Sequence, residues 1–470
     1  MPGIEYIYAE VFLFISILFL LILGVFINKS YKIINNLAIL SLAFTFLILI
    51  NNSTEVILIF NNSYIIDSIS TFMKLLTLVS SIFVLIICNH YIVNLNINKF
   101  EYPILILSSI LGMFLMISSY DLIVFYMGLE LQSLSLYVLA SFNRENKKST
   151  EAGLKFFVLS ALSSGLLLYG CSLVYGYSGS TNFQLISSNL NENNLGSIFG
   201  IIFIIVGLAF KVSAVPFHMW TPDVYEGAPT SVTSFFATVP KIAALAVFIR
   251  FMYVPFINVI DNWQLIVVFL SIASMILGAV AAIGQSNIKR LMAYSSIGHM
   301  GYALAGIATA SEDGARSTIL YLVIYLIMNI GIFSCILTMK RDNKFIEDIN
   351  ELSGLSKNRP LISLSFLILL LSLAGIPPLA GFFAKFYVFM SVIESKMYLL
   401  AIIGLLTTVV SAFYYLRIIK IIYFDEPKKD FDENKNFGIK FSLILSCIVL
   451  SFYFLSPSIL LELISLININ

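Results

Sequence analysis

The sequence predicts an all-α polytopic membrane protein of about fourteen transmembrane helices, and three observations predict it. Of its 470 residues, 59% are apolar and only 11% charged, with a mean hydropathy of +0.96. A soluble domain carries about 25% charged residues. The apolar residues come in long blocks and not in the alternating pattern of an outer-membrane barrel, which points to helices. Finally, Lys and Arg crowd into every second loop, as multi-pass topology requires. The net charge of +1 gives no reason to expect a nucleic acid or other acidic polymer as partner.

In chain order the spans are read at 9–27, 33–50, 69–88, 103–119, 121–140, 153–176, 197–219, 230–249, 264–283, 291–309, 318–338, 361–393, 398–416 and 441–460. The twelfth is too long for one crossing and contains Gly375-Ile-Pro-Pro-Leu-Ala-Gly381, so two half-helices around a break are expected. The seventh carries Lys211 and is disturbed by Pro216. With the N-terminus outside, the inner loops hold nineteen basic residues, among them Lys29, Lys32, Lys99, Lys147, Lys289, Lys429 and Lys435. The outer loops hold three, Arg250, Arg316 and Lys396. The other five, Lys74, Lys155, Lys211, Lys241 and Lys385, fall within spans. The inner loop at 220–229 has no base but has Asp223 and Glu226, so it is expected to be held against other parts of the protein.

The two breaks lie five spans apart, and an odd offset reverses orientation. Two inverted five-helix repeats are therefore expected, spans 4–8 (101–250) and spans 9–13 (251–425). A three-helix segment (1–100) precedes them and one span (426–470) follows.

Charges inside a membrane span are costly and usually functional. Glu130 is the tenth residue of its span, and Gln132, Ser133 and Ser135 make the neighbouring turn polar. It reads as a proton-binding carboxylate paired with a lysine, or else as a structural buried ion pair or a protonated, hydrogen-bonded glutamic acid. Lys211, Lys241 and Lys385 are the matching bases. A buried lysine whose carboxylate partner moves can load and release protons near neutral pH. Snorkelling to the interface is the alternative; it is weak for Lys241 and stronger for Lys385. Lys74 lies near the start of its span and is expected to snorkel. Lys155 either pairs with Glu151 one turn away or feeds protons in from the cytoplasmic side. His218 and His299 are either relays or satisfied core histidines.

No GxGxxG, P-loop, nucleophile elbow or CxxC occurs, and Cys88, Cys171, Cys335 and Cys447 are far apart. No metal or cofactor site is readable. The N-terminal residues lack the basic region of a cleaved signal peptide.

Four stretches carry a resemblance: Gly128-Leu-Glu-Leu-Gln-Ser-Leu-Ser-Leu-Tyr137, Phe217-His-Met-Trp-Thr-Pro-Asp-Val-Tyr-Glu-Gly-Ala-Pro229, Gln285-Ser-Asn-Ile-Lys-Arg-Leu-Met-Ala-Tyr-Ser-Ser296 and Ala374-Gly-Ile-Pro-Pro-Leu-Ala-Gly-Phe-Phe-Ala-Lys385. Together, over roughly residues 100–425, they resemble the antiporter-like membrane subunits of proton-pumping NADH:quinone oxidoreductase, respiratory complex I. The His-Met-Trp wording, Lys385 and the length favour the subunit N type. The resemblance implies that Glu130 and Lys211 form a proton-channel pair, that Lys241 is a central connecting lysine and that Lys385 is an exit-side lysine. It implies no cofactor on this chain, with NADH, FMN, iron–sulfur clusters and quinone on partner subunits. The implied partners are other membrane-arm subunits, the lipid bilayer and, through the complex, the quinone pool. The expected location is a bacterial inner (plasma) membrane, or else an organellar inner membrane. The rival readings are a subunit of a multi-chain cation/proton antiporter, a non-pumping scaffold and a free-standing metabolite carrier.

Overall fold

A computed structural model of the chain describes residues 4–27, 30–51, 55–190, 194–342, 344–433 and 436–468. Two of the predicted inner-loop bases, Lys29 and Lys435, lie outside the described residues. Helices lie over each predicted stretch: α1 (Tyr8–Phe26), α2 (Tyr31–Ile50), α3 (Ser68–Asn94), α4 (Glu101–Ile117), α5 (Leu122–Ala140) and α6 (Lys147–Ser178). After the short α7 (Phe183–Asn189) come α8 (Leu195–Val212), α9 (Trp220–Gly227), α10 (Thr230–Tyr253), α11 (Ile260–Ile283), α12 (Ile288–Ala308) and α13 (Glu312–Ile336). The single turn α14 (Leu355–Asn358) leads to α15 (Pro360–Ala374), α16 (Ala380–Glu394), α17 (Tyr398–Phe424), α18 (Phe437–Phe452) and α19 (Pro457–Ser465). Among the described residues, eleven helical segments are long and apolar enough to cross a membrane.

Two small hairpins complete the described chain. In the first, β1 (Ile57–Ile59) pairs antiparallel with β2 (Tyr64–Ile66), Ile57 opposite Ile66. In the second, β3 (Lys340–Arg341) pairs with β4 (Lys344–Phe345). Neither is foreshadowed by the hydropathy pattern. The helix starts are written in side chains: Asp67, Asn146, Asn194, Asn287 and Ser311 each accept a backbone N–H of the first turn.

The core is built around α10, in which all 24 residues are buried. A helix that is apolar on every side must be surrounded by protein or lipid. Here neighbouring helices surround it, so a charge on α10 meets neither water nor lipid. Elsewhere close approach is set by glycine: a Cβ on Gly112 of α4 would stand 2.5 Å from the Gln132 nitrogen of α5.

Several expectations are corrected. The seventh predicted span does not run to residue 219. It ends at Val212, and residues 220–227 of the predicted loop form α9. The fourteenth predicted span, 441–460, is interrupted by a 3-10 turn before Pro457 starts α19. Lys74 does not snorkel. It is 3% exposed and bonds Glu10 at 2.6 Å and the Tyr64 hydroxyl at 3.0 Å. Arg250 is not an outer-loop residue but lies in the last turn of α10, buried against Asp67 at 2.5 Å. Lys289 is not a solvated loop base. It is buried at the start of α12, donating to the Ala228 carbonyl at 2.9 Å and pairing with Glu347 at 2.6 Å. In each case a carboxylate or carbonyl from a distant segment takes the charge, which local hydropathy cannot register.

Candidate functional site

The first break starts at Ser213, whose left-handed backbone (φ 66) ends α8. Val215–Pro216 is cis, and the Val215 N–H donates to Ser274 Oγ at 2.9 Å. The Phe210 carbonyl, near the end of α8, accepts from the Ser213 N–H at 3.1 Å and from the Trp220 indole N–H at 3.0 Å. Trp220 also stacks on Phe156 with ring centroids 4.5 Å apart. Lys211, in the last turn of α8, donates from Nζ to Ser133 Oγ of α5 at 2.7 Å and Ser160 Oγ of α6 at 2.9 Å. The Tyr137 hydroxyl donates to the same Ser160 oxygen at 2.7 Å. Glu130 forms no ion pair with Lys211, and the two serines hold the ammonium instead. The pair still interacts through space. Glu130 Oε1 is buried with no hydrogen-bond partner.

At the centre, Lys241 of α10 is 1% exposed. Its Nζ donates to Ser296 Oγ of α12 and lies 5.7 Å from the centroid of the Tyr225 ring. The Tyr325 hydroxyl of α13 donates to the same Ser296 oxygen at 2.9 Å. One turn further along α12, His299 is buried with both ring nitrogens engaged: Nδ1 with the Tyr321 hydroxyl at 2.5 Å and Nε2 with the Tyr415 hydroxyl at 3.2 Å. Tyr415 also meets Ser295 Oγ at 2.5 Å. Both Lys241 and Lys385 act electrostatically on His299. The histidine is thus a satisfied core residue that lies within electrostatic reach of two buried lysines.

The second break starts at Gly375 (φ 83), and the Ile376 N–H returns to the Leu371 carbonyl at 3.1 Å. Lys385 of α16 reaches back across the break, donating to the Ala374 carbonyl at 3.0 Å and the Leu373 carbonyl at 3.2 Å. These are free carbonyls at the C-terminal end of α15, where the helix dipole favours a cation. Lys385 is 5% exposed and does not snorkel. Its Nζ lies 4.9 Å from the Tyr302 ring centroid, and the Tyr302 hydroxyl accepts from Thr408 Oγ1 at 3.1 Å.

The acids of α9 are held, as their base-free surroundings suggest. Asp223 accepts from Lys155 at 2.8 Å and Arg290 at 3.0 Å, and Glu226 accepts from Arg290 at 3.0 Å and Lys148 at 3.1 Å. Lys155 also keeps Glu151 at 2.8 Å. A cavity of about 640 Å³ beside this network is lined by Lys155, His218, Asp223, Arg290 and Tyr294. His218 is buried, and its Nδ1 has no hydrogen-bond partner.

The structure therefore brings Lys241, His299 and Lys385 into one buried polar group, places Lys211 near Glu130, and sets His218 and Lys155 at a separate mouth. Sequence reading missed Ser160, Tyr321, Tyr325 and Tyr415. Their signal is weak, because single hydroxyls in apolar helices are common. Among the described residues no group of three His, Cys, Asp or Glu is placed to hold a metal.

Residues 119–411 match the sequence model of the NADH:quinone oxidoreductase/Mrp antiporter transmembrane family. The chain is 61% identical to NADH-quinone oxidoreductase subunit N of Pelagibacter ubique, over 100% of both chains. It is 50% identical to subunit N of Parvibaculum lavamentivorans, over 96% of this chain and 94% of that protein. Among solved structures it is similar to a chain of respiratory complex I from Thermus thermophilus with bound aureothin, with TM-score 0.84, 28% identity, and 98% of this chain and 100% of that one covered. It also shares the fold of a chain of the Mrp complex from a Dietzia species, with TM-score 0.86 at 19% identity over 99% and 97% of the two chains.

Proposed function

The chain belongs to the NADH:quinone oxidoreductase/Mrp antiporter transmembrane family, and from that membership we propose how its buried charges work. It is a multi-pass inner-membrane subunit, of the subunit N type, in the membrane arm of a proton-translocating NADH:quinone oxidoreductase. Its partners are the other membrane-arm subunits, and it contributes to the enzyme without carrying a redox centre of its own. NADH, FMN, the iron–sulfur clusters and quinone act on partner subunits, and quinone reduction there drives proton movement here.

In this reading Glu130, Lys211, Lys241 and Lys385 exchange protons in sequence, with His299 between the last two. Lys155 and His218 stand at the mouth beside α9 and can pass protons toward Lys211. Residues 101–250 and 251–425 act as inverted repeats, each with one broken helix, after the three-helix segment 1–100 and before the last span in 426–470. The N-terminus lies outside. The observation that carries the reading is the two buried hydrogen-bonded sets, Lys241–Ser296–Tyr325 and Tyr321–His299–Tyr415, which meet where the His299 and Tyr325 rings pack 5.3 Å apart. Such a set does little for stability that apolar packing could not do. It does give a proton short steps between donors and acceptors.

A neutral Lys241 accepts a proton when a cationic neighbour is discharged and releases it when that neighbour is recharged. Glu130 can play the same part for Lys211. Its free Oε1 is a lone pair available to take the Lys211 proton once the serines let the ammonium swing.

The test is Lys241→Met and Lys241→Arg in the assembled complex, with NADH-driven proton uptake read in reconstituted vesicles beside a blot for assembly. Methionine cannot titrate, and arginine does not release its proton. Both variants should assemble, and both should lose pumping. Normal pumping in Lys241→Met refutes the relay, and lost assembly favours the scaffold reading. Sodium-linked transport without NADH oxidation in the parent complex would instead fit the antiporter-complex reading, which the shared fold allows.

A further inference from the structure

Leu154, Val158 and Leu162 stand at i, i+4 and i+8 on one side of α6. They are 64%, 54% and 65% exposed, so they form a bare apolar stripe. At 32 residues α6 is about 48 Å long, well beyond the ~30 Å hydrocarbon core of a bilayer. Its charged start, with Lys148, Glu151 and Lys155, therefore stands at the level of lipid head groups, and the stripe runs from there into the hydrocarbon. The end of α9 closes onto this start. A Cβ on Gly227 would stand 2.5 Å from the Lys148 carbonyl oxygen, and only glycine permits that approach.

Two adjoining cavities occupy the corner between α6, α9 and α12. A polar recess of about 230 Å³ is walled by Lys148, Glu151, Lys155, Asp223, Glu226 and Arg290. The cavity of about 640 Å³ shares Lys155, Asp223 and Arg290 with it, and its further walls include Leu154, Val158, Leu159, Met219 and Pro222. Met219 is 69% exposed. The polar recess thus opens into an apolar groove that meets the stripe on α6. Three bases face three acids in the recess, so its walls carry no net charge. Lys155 gives N–H donors to Glu151 and Asp223, both at 2.8 Å, and Lys148 gives one to Glu226 at 3.1 Å. Arg290 uses Nη1 for both Asp223 and Glu226, each at 3.0 Å. An ammonium has three donors and a guanidinium five, so all three bases keep N–H groups for an oxyanion. Each carboxylate oxygen has two lone pairs, so the acids keep room for a cation.

We propose that this corner seats one phospholipid whose zwitterionic head ends in a primary ammonium. The phosphate lies against Lys148, Lys155 and Arg290, the ammonium against Glu151, Asp223 and Glu226, and one acyl chain lies in the groove and along the α6 stripe. The balance of charge selects the head. An anionic lipid is drawn by an excess of Lys and Arg, and here the acids cancel the bases. A quaternary ammonium is held by aromatic faces, and the recess has none. An ammonium with N–H donors suits carboxylate oxygens. A helix of a neighbouring subunit would close the groove but leave the spare N–H donors of the recess away from water, at a cost in desolvation. The site stands whether or not Lys155 or Lys241 titrates.

The experiment reconstitutes the assembled complex in phosphatidylcholine vesicles with a trace of one of three probes. The probes share a diazirine-bearing acyl chain and differ in the head: ethanolamine, choline or glycerol. After irradiation, adducts on residues 154–162 and on Met219 are counted by mass spectrometry. The ethanolamine probe should label these residues about threefold more than either other probe, the order of effect that one exposed ion pair supplies. Equal labelling by all three means passing bilayer lipid only and overturns the proposal. Strongest labelling by the choline or the glycerol probe overturns the choice of head, and with it the proposal. No labelling by any probe means that another subunit covers this face, which overturns it too. Two variants test the walls. Leu154→Trp fills the groove and should lower labelling of residues 155–162 and Met219 by the ethanolamine probe. Glu151→Gln leaves three bases against two acids and should shift the ratio of glycerol to ethanolamine labelling upward by about threefold. The Glu151 side chain is 61% exposed, so this variant decides the matter should Leu154→Trp fail to assemble. An unchanged ratio in Glu151→Gln overturns the proposal.

Discussion

Lys385 and Gly375 form a unit that the sequence half discloses. The lysine after a Gly-Ile-Pro-Pro stretch was readable as a charge near a break. That it would turn back onto the Leu373 and Ala374 carbonyls was not, because the direction depends on a backbone bend. Gly375 holds φ 83, and a Cβ there would stand 3.0 Å from Lys385 Cδ. Gly375→Ala should therefore cost about 1 kcal/mol or more in backbone conformation and push the ammonium off its carbonyls. Pumping should fall, whereas Gly284→Ala, with an ordinary φ of −84 and open space around its Cβ, should match the parent in the same vesicle assay. The ion pairs Glu10–Lys74 and Asp67–Arg250 were not legible at all. Charges near span ends are unremarkable in a sequence, and the partners are 64 and 183 residues apart. Glu10→Ala leaves Lys74 buried alone, a loss of about 3–5 kcal/mol for such pairs. Glu10→Leu with Lys74→Met strands no charge and should recover most of that loss. The comparison is thermal melting of the purified complex, and equal melting of the single and double variants would contradict it.

At the scale of elements, the break itself was readable from Pro216, but α9 was not. Eight residues containing Pro222 and Gly227 carry no helical periodicity, and the helix exists because Asp223, Glu226 and Trp220 each find a partner on α6, α8 or α12. Trp220→Phe keeps the stacking surface on Phe156 and removes the donor to the Phe210 carbonyl. The Ser213 N–H still serves that carbonyl, so the loss is one hydrogen bond, about 1 kcal/mol, and the melting temperature of the complex should drop slightly while assembly persists. The connection between α13 and α15 gives a pH prediction. Glu351 takes Lys428 at 2.9 Å and Arg341 at 2.6 Å, tying this connection to the segment after α17. Those two hydrogen bonds hold its carboxyl below the ordinary 4.5. Asp342 is held below 3.8 by Lys429 in the same way. A carboxylate with a lowered folded value stabilises fully above its unfolded value and loses that contribution as pH falls through the folded one. Protease nicking between residues 340 and 359 should accordingly be flat from about pH 8 to 5 and rise only in stronger acid. Since solvent screens such exposed pairs, the rise should be modest. A step near neutral pH would mean that other groups hold the connection.

For the molecule as a whole, hydropathy gave the positions of the spans because burial in lipid and burial in protein both demand apolar helices. It could not tell the fully buried α10 from lipid-facing neighbours such as α18, which is why the depth of Lys241 had to come from packing. Orientation rests on a different signal, the distribution of basic residues between loops. The structure withdraws Arg250 from the outer group and Lys289 from the inner one, since both are buried in pairs. The imbalance survives, because Arg316 and Lys396 remain opposed to Lys32, Lys99, Arg144, Lys147, Lys148, Lys340, Arg341 and the bases that follow them. It is the positive residues that fix insertion, and Asp or Glu contribute little, so the pairing of Arg341 with Glu351 does not remove it from the count. Single cysteines in a background without the four native ones should therefore react with an impermeant thiol reagent from the cytoplasmic side near Lys147 and Lys429. They should react from the opposite side near Asn189 and Ser311. Lys429 and Ser311 are on connections, Lys147 opens α6 and Asn189 closes the short α7, and none of the four is buried, so each can take the label without entering the core. Reversed labelling at both pairs would turn the whole molecule over and place the mouth beside α9 on the outer face, and proton entry would have to be sought at the other end of α10.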